Sequence, residues 1–128
     1  MSVINFCGGI YNTNINDVLK VLSKILDHKK IKHRSRMFGD EINYEDTNLE
    51  IYFESDYQYK SNLTDKDKEE YRINGEFFTN NKDIAKVFLE RLGSLFYEEK
   101  IKYQFEYYEQ TDDGEEIGDS YTIECLDF

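Results

Sequence analysis

An internal repeat constrains the fold more than any other feature of this sequence. Residues 9–26 and 75–92 align without a gap at an offset of 66, and seven of the eighteen aligned positions are identical. A repeat of this length predicts two copies of one supersecondary unit. Because a unit of about 60 residues would be only marginally stable alone, we predict a single domain over residues 1–128. Repeat 1 (residues 1–60) and repeat 2 (residues 71–128) would then share one sheet.

Each repeat begins with a predicted strand, at residues 3–11 in the first and 71–78 in the second. Gly8 and Gly9 in the first strand indicate a β-bulge or the close approach of another backbone. Gly75 stands at the position of Gly9 and has no glycine before it. A structural role for these glycines is therefore favoured over a phosphate-binding turn.

An amphipathic helix is predicted after each strand, because apolar residues recur at helical spacing. Asn14 or Asn16 would cap the first helix, and Asn80 or Asn81 the second, by accepting hydrogen bonds from exposed backbone N–H groups. Both apolar stripes are one-sided, so both helices should lie on a sheet. The side chains expected to face the sheet are Ile15, Val18, Leu19, Leu22, Ile25 and Leu26 in the first helix and Ile84, Val87, Phe88, Leu92, Leu95 and Phe96 in the second.

A β-hairpin is predicted after each helix. In repeat 1 it joins strands at residues 31–37 and 49–54. In repeat 2 it joins strands at residues 101–107 and 120–125, with the Asp-Asp-Gly sequence at residues 112–114 as the turn. Each repeat therefore has the element order β-α-β-β.

The predicted fold class is α+β. Two pseudo-symmetric β-α-β-β repeats would form a largely antiparallel sheet with both helices packed on one face. Residues 55–70 are polar and charged and form the connector, in which Tyr57–Tyr59 is compatible with a short additional strand. The face of the sheet without helices would be solvated or would bind a partner.

The charge of the chain is strongly asymmetric. The formal net charge is −11, yet residues 1–38 carry seven Lys/Arg against two Asp/Glu. Residues 39–128 carry nine against twenty-five. Such a surface opposes direct binding to a phosphate backbone and favours a basic protein as partner. The alternative explanation is that the acidic residues serve solubility alone.

Several classes of site and compartment are disfavoured by composition. No apolar run is long enough for a membrane span, and Cys7 and Cys125 are the only cysteines, which favours a cytoplasmic protein with reduced thiols. These cysteines and His28 and His33 have no ligand-like spacing, so we expect no metal site and no cofactor. His33 aligns with a tyrosine of repeat 2, which favours a packing role, and no Ser/His/Asp or Cys/His arrangement predicts an enzyme.

Tyrosines interleaved with carboxylates are the most distinctive surface feature. Tyr52 and Tyr108 are predicted on the polar face of the sheet, and such rings set among acids are typical of an interface for a basic protein. A solvated sheet face with ordinary β-propensity would have a similar composition. The residues predicted to bind the partner are Glu50, Tyr52, Glu54, Glu106, Tyr107, Tyr108, Glu109, Asp112, Asp113, Glu115, Glu116 and Asp119.

The leading functional hypothesis is a small, non-enzymatic bacterial or phage protein that binds and sterically blocks a basic protein. In one version it is an immunity protein that neutralises a nuclease toxin. In the other it is an anti-defence inhibitor whose carboxylates mimic nucleic acid in the channel of a defence effector. The alternatives are a small-molecule binding module or enzyme that uses a cleft between the repeats, and a homodimeric structural protein.

Overall fold

A computed structural model describes residues 2–36, 39–55 and 69–127 of the chain. It is an α+β fold with one seven-stranded sheet and two helices. The elements in chain order are β1 (Val3–Thr13), α1 (Ile15–Ile25), a short 3-10 helix (His28–Lys30), β2 (Ile31–Arg36), β3 (Gly39–Glu45), β4 (Leu49–Ser55), β5 (Glu69–Phe77), α2 (Lys82–Glu98), β6 (Lys102–Gln110) and β7 (Glu116–Cys125). The order across the sheet is β2-β3-β4-β5-β1-β6-β7, and every pairing of these strands is antiparallel.

Both helices cover the same face of the sheet. They contact each other directly, and Lys20 of α1 lies 3.0 Å from Glu99 at the end of α2. Their buried side chains join those of alternate strand positions in one core, which includes Ile4, Phe6, Val18, Leu22, Ile51, Phe53, Ile73, Leu89, Phe96 and Phe105. The predicted α+β class and the placement of both helices on one face are therefore confirmed.

The helix starts follow the predicted capping chemistry. The Asn14 side chain accepts a hydrogen bond from the backbone N–H of Asp17 at 2.9 Å. The Asn81 side chain accepts one from the backbone N–H of Asp83 at 3.0 Å. Of the alternatives offered by the sequence, Asn14 and Asn81 are thus the caps.

The buried side of α2 differs from the prediction. Ile84 and Val87 were expected to face the sheet, but they are 51% and 67% exposed. Ala85 and Leu89 are buried instead, together with Gly93, whose added Cβ would lie 2.6 Å from the ring of Tyr103. The small residues let α2 approach the sheet closely, and this rotates the larger aliphatic side chains outward.

The first half of the chain contains one more strand than predicted. The hairpin expected between residues 31–37 and 49–54 is wrong, because β2 pairs with β3 and β3 pairs with β4. The chain passes from α1 to the edge strand β2, but from α2 to β6, which lies beside β1. The pseudo-symmetry of the two halves is therefore not confirmed. The additional strand considered at Tyr57–Tyr59 lies outside the described residues.

Two glycines allow close contacts beside the central strands β1 and β5. A Cβ on Gly8 would lie 1.9 Å from the carbonyl oxygen of Gln104, and one on Gly75 would lie 2.0 Å from the ring of Phe6. The structural role predicted for these positions follows from this geometry.

Candidate protein-binding surface

We call the face of the sheet opposite to the helices the open face. Cross-strand register places Tyr52, Asn74, Cys7 and Glu106 in one row across β4, β5, β1 and β6 on this face. The predicted partner-binding residues of β4 (Glu50, Tyr52 and Glu54) and two of those on β6 (Glu106 and Tyr108) therefore share the open face. Three strand spacings separate the two groups, or roughly 14 Å.

Three carboxylates lie side by side in the next row, which we call the acidic row. Glu45 of β3 is directly opposite Glu50 of β4, and Glu50 is directly opposite Glu76 of β5. Among the described residues none of the three makes an ion pair or a side-chain hydrogen bond. Like charges directly opposite each other destabilise a sheet. The acidic row thus costs stability in the free protein.

The acidic row continues into polar and aromatic groups. Glu76 is opposite Asn5 of β1, and Asn5 is opposite Tyr108 of β6. The Asn5 amide donates a hydrogen bond to the Gln110 side chain. Tyr108 is half-buried, and its pKa is raised first by burial and then by nearby Cys7, Glu116 and Glu106. Tyr108 therefore remains a neutral phenol.

Other carboxylates of the open face are already engaged. Glu41 is 8% exposed, lies 2.8 Å from Arg36 and accepts a hydrogen bond from the Tyr52 hydroxyl at 2.6 Å. This hydrogen bond and burial raise the pKa of Tyr52 to about 12. Glu54 lies between Glu41 and Arg72 in the cross-strand register. The Tyr52 ring can therefore contact a partner, but its hydroxyl is already hydrogen-bonded to Glu41. The charge of Glu54 is partly balanced by the Arg72 side chain on the neighbouring strand.

The β6–β7 hairpin extends beyond the acidic row and carries most of the predicted acids. Its turn is held by neutral groups: the Thr111 N–H donates to the Glu115 carbonyl at 2.8 Å, and the Thr111 hydroxyl accepts from the Glu115 N–H at 3.1 Å. Gly114 has φ +87°, as expected for the predicted turn. The exposed carboxylates of this hairpin are those of Asp112, Asp113, Glu115, Glu116 and Asp119.

Two of the predicted binding residues point to the helix side. Tyr107 is buried, stacks on Tyr121 with ring centroids 5.4 Å apart, and has its pKa raised mainly by burial. Glu109 is half-buried on the same side and accepts a hydrogen bond from the Ser2 hydroxyl at 2.5 Å. Tyr107 was predicted to bind the partner, but it belongs to the core and cannot contact a partner across the open face.

Two acids of the acidic row, Glu45 and Glu76, are absent from the predicted set. Glu45 was missed because strand β3 was missed, although Ile42 and Tyr44 alternate with polar residues in its sequence. Glu76 belongs to a predicted strand, but its position beside Glu50 depends on the register between β4 and β5. No local pattern encodes that register.

The basic segment after α1 moderates the charge at one end of the acidic row. Lys29, Lys30 and Lys32 line a groove of about 600 Å³ together with Glu45 and Glu50. A basic partner would meet less negative potential there than near Glu76 and the β6–β7 hairpin. The candidate surface therefore extends from the acidic row to β7, and its potential is most negative between β5 and β7.

A serine, a histidine and an aspartate do meet at the β2–β3 edge. The Ser35 hydroxyl and His33 Nε2 both lie 2.8 Å from Asp40 Oδ1, so the carboxylate separates them. Nucleophilic catalysis requires the histidine to contact the hydroxyl instead. His33 is exposed on the edge strand and does not have the packing role predicted from its alignment. Within the described ranges, no three His, Cys, Asp or Glu side chains converge in a metal-binding arrangement.

Both cysteines are free thiols in the structure. Cys7 lies on the open face, and burial, followed by nearby Glu106, raises its pKa. A thiol with a raised pKa is a weak nucleophile at neutral pH, so Cys7 is not an activated cysteine.

Comparison with known proteins does not assign this chain to a family: no protein-family model matches it, and no curated protein matches it either. In the described part of the chain, neither helix is long and apolar enough to cross a lipid bilayer.

Proposed function

We propose that this chain is a cytoplasmic, non-enzymatic inhibitor that binds a basic protein and sterically blocks it. The contact surface is the acidic row with Tyr108, Glu106 and the exposed acids of the β6–β7 hairpin. Tyr52 adds ring area at the centre of the open face. The similarity of residues 9–26 to residues 75–92 would reflect descent from one duplicated unit.

The observation that supports this proposal is the unpaired state of the acidic row. Glu45, Glu50 and Glu76 stand directly opposite one another across the strands on an exposed sheet face, and none of them makes an ion pair with a described residue. Each like-charged pair costs roughly 0.2–1 kcal/mol. Binding sites often retain such unfavourable arrangements, since function and stability are traded against each other. A Lys or Arg side chain from a partner would relieve the repulsion.

The carboxylates and the rings would have different parts in binding. Exposed acids attract a basic partner over several ångströms and raise the association rate, while aromatic side chains in the interface supply contact area. Tyr108 is suited to supply contact area because it is a neutral ring flanked by Glu106 and Glu116. The proposal therefore expects fast association that slows steeply as salt is added.

Two biological settings share this mechanism. As an immunity protein the chain would occlude the active site of a nuclease toxin, and as an anti-defence protein it would fill the nucleic-acid channel of a defence effector. Co-expression separates them: an immunity protein restores the growth of cells that express the toxin. An anti-defence protein restores phage replication in cells that carry the defence system.

The test begins with capture of basic proteins from a lysate of the host by the immobilised chain. A captured protein qualifies only if, once purified, it binds the chain in solution and loses its nucleic-acid activity when bound. Glu50→Gln and Glu76→Gln should each slow association, whereas Glu98→Gln, which removes one exposed carboxylate from α2, should not. An association rate that is the same at about 0.05 M and about 0.5 M salt would contradict the mechanism.

A specific cavity supports the second candidate function, a small-molecule binding module. A cleft of about 350 Å³ lies between residues of both halves of the chain, including Leu26 and Leu49 from the first and Phe77 and Phe88 from the second. Its volume is at the lower end for ligand sites, and its walls are mainly apolar. A screen of small aromatic compounds by thermal shift tests this function. Stabilisation that disappears when Ile84 is replaced by Trp, which would fill the cleft, would favour it.

A further inference from the structure

Strand β7 is one edge of the sheet, and it is exposed to an unusual degree. It runs for ten residues from Glu116 to Cys125, and only Ile123 and Cys125 are even half-buried. Its inner backbone groups pair with β6, while no described strand lies on its outer side. An edge of this kind presents unpaired N–H and C=O groups that can template another strand.

The two edges of the sheet are protected differently. Edge strands are commonly kept from pairing by short length, by lysine or proline, or by bulges. The β2 edge is six residues long and carries Lys32, Arg34 and Arg36. The β7 edge has neither cation nor proline, and its irregularity falls opposite Tyr108. The five residues from Tyr121 to Cys125 lie beyond that irregularity and include only one charged side chain, Glu124.

A groove lies beside β7 on the helix side of the sheet. It has a volume of about 660 Å³ and runs between α2 and the strand. The stacked rings of Tyr107 and Tyr121 form part of its lining, and Lys82 Nζ lies 5.3 Å from the centroid of the Tyr121 ring. Tyr121 is 43% exposed, so this ring is available to a further apolar side chain.

We propose that β7 accepts an extended segment of the basic partner as an eighth strand of the sheet. This inference rests on the proposed function, and it names the part of the partner that is recognised. The partner strand pairs with residues 121–125. Its basic side chains lie on the open-face side, next to Glu106 and Glu124, and its apolar side chains lie on the helix side, next to Tyr121.

The alternation follows from sheet geometry. Successive side chains of a strand point to opposite faces, and a cross-strand neighbour shares the face of the residue it opposes. Thr122 and Glu124 are on the open face because they oppose Glu106 and Gln104. Main-chain hydrogen bonds would supply affinity, and the alternate side chains would supply specificity. The acids of the second half of the chain select a basic strand over an acidic one.

The experiment selects ten-residue peptides from a randomised display library on the full chain. We expect enriched peptides with Lys or Arg alternating with apolar residues, and slower amide hydrogen exchange over residues 116–125 when such a peptide is bound. N-methylation of the central backbone amides of the peptide should weaken binding at least about tenfold, because it removes ladder hydrogen bonds. Peptides without basic residues, or protection confined to other strands, would overturn the proposal.

A pair of proline variants supplies a test on the protein itself. Adjacent residues of an antiparallel strand direct their N–H groups to opposite sides. Of Thr122→Pro and Ile123→Pro, one therefore removes an outward donor and keeps the pairing with β6. The variant that retains the native denaturation curve should bind the selected peptides at least about tenfold more weakly. Unchanged binding by this variant would overturn the proposal, as would dimers of the chain that protect β7 without any peptide.

Failure of this inference can be told apart from failure of the proposed function. If basic peptides lose affinity with Glu50→Gln and Glu76→Gln but not with the folded proline variant, the acidic surface binds the partner and the edge does not. If peptides bind at the edge without preference for basic residues and without salt dependence, strand addition occurs but the proposed function is wrong.

Discussion

The sheet has two wings on either side of the central pair β1–β5, and they differ in the use of their charges. The first wing (β2, β3 and β4, residues 31–55) carries Lys32, Arg34 and Arg36 with six Asp/Glu. The second wing (β6 and β7, residues 102–125) carries one lysine with eight Asp/Glu. In the first wing the two arginines approach Glu41 within 4.0 Å. In the described structure of the second wing, Glu106 and Glu116 have no ion-pair partner.

The hairpin turns show the same difference. In the first wing Asp46 closes the β3–β4 turn: its carboxylate accepts hydrogen bonds from the Asn48 and Leu49 N–H groups at 2.7 and 2.9 Å. In the second wing the Thr111 hydroxyl closes the β6–β7 turn by accepting a hydrogen bond from the Glu115 N–H, and the neighbouring acids remain exposed. A count of carboxylates therefore says little about binding. The informative quantity is the number of carboxylates that the fold does not use.

The junction of the second wing with β1 should be the most sensitive point of the sheet. Gly8→Ala would place a Cβ 1.9 Å from the Gln104 carbonyl oxygen, and we expect the free energy of unfolding to fall by about 3 kcal/mol or more. The control is Gly114→Ala at the hairpin tip, where φ is +87° but the nearest atom is 3.7 Å away. Backbone strain alone should cost about 1 kcal/mol there. If urea denaturation gives the same decrease in the free energy of unfolding for Gly8→Ala and Gly114→Ala, strands β1 and β6 can separate to accommodate the added methyl group.

Replacing an engaged carboxylate and an unengaged one should change stability in opposite directions. Glu41→Gln weakens the contacts with Arg36 and Tyr52 and should lower the free energy of unfolding by about 2 kcal/mol. Glu50→Gln removes like-charge repulsion from the acidic row and should raise it by about 0.5 kcal/mol. Urea denaturation at low salt measures the free energy of unfolding of both variants. If Glu50→Gln destabilises the protein as Glu41→Gln does, the acidic row has a structural role and is not held ready for a partner.

Much of the fold was predictable from local sequence. The caps Asn14 and Asn81 and the turn at residues 112–114 follow from short patterns whose chemistry is local. Strand β3 was missed because only Ile42 and Tyr44 of its seven residues are apolar. Its place is set by pairing with β2 and β4. The orientation of α2 was also missed, because Ala85 and Gly93 pack closely under the helix and hydropathy gives more weight to Ile84 and Val87.

The candidate surface was predictable only in part. Glu50 and Glu106 were predicted to bind the partner, and they lie on the open face. The contact between Glu50 and Glu76 joins strands β4 and β5, which are distant in sequence, so it required the register. Glu41 was not considered, because a buried carboxylate is recognised only when its partners Arg36 and Tyr52 are placed. Sequence patterns thus gave the composition of the surface, and the paired or unpaired state of each acid needed the structure.

The stability contributed by the β3–β4 turn of the first wing should fall at acidic pH. Burial opposes ionisation of Asp46, but the hydrogen bonds from Tyr44, Asn48 and Leu49, together with nearby Lys30, outweigh it and lower its pKa. A carboxyl group with a lowered pKa stabilises the fold above its unfolded pKa, near the ordinary value of 3.8. That contribution is lost as the pH falls through the lowered folded value.

Asp46→Asn should therefore reduce the free energy of unfolding by about 1 kcal/mol at pH 7, through the weaker hydrogen bonds of an uncharged acceptor. The difference from the wild-type chain should shrink as the pH falls below about 4. Asp113→Asn, at the exposed turn of the second wing, is the control and should change stability by less than about 0.5 kcal/mol throughout. A deficit of Asp46→Asn that stays constant from pH 7 to about pH 2 would show that ionisation of Asp46 does not stabilise the turn.

The smallest effect concerns the contact between α2 and the second wing. Lys82→Gln removes the cation 5.3 Å from the Tyr121 ring, and at an exposed site this should lower the free energy of unfolding by about 0.5 kcal/mol. Lys86→Gln is the matched control, because it removes a lysine that lies 3.9 Å from Glu90 within the same helix and should cost about 0.3 kcal/mol. Only Lys82→Gln should speed amide hydrogen exchange in β7, since Lys82 lies over a ring of that strand whereas Lys86 pairs with Glu90 of its own helix. If both variants leave exchange in β7 unchanged, pairing with β6 and the stacking of Tyr107 on Tyr121 hold this edge strand without help from the helix.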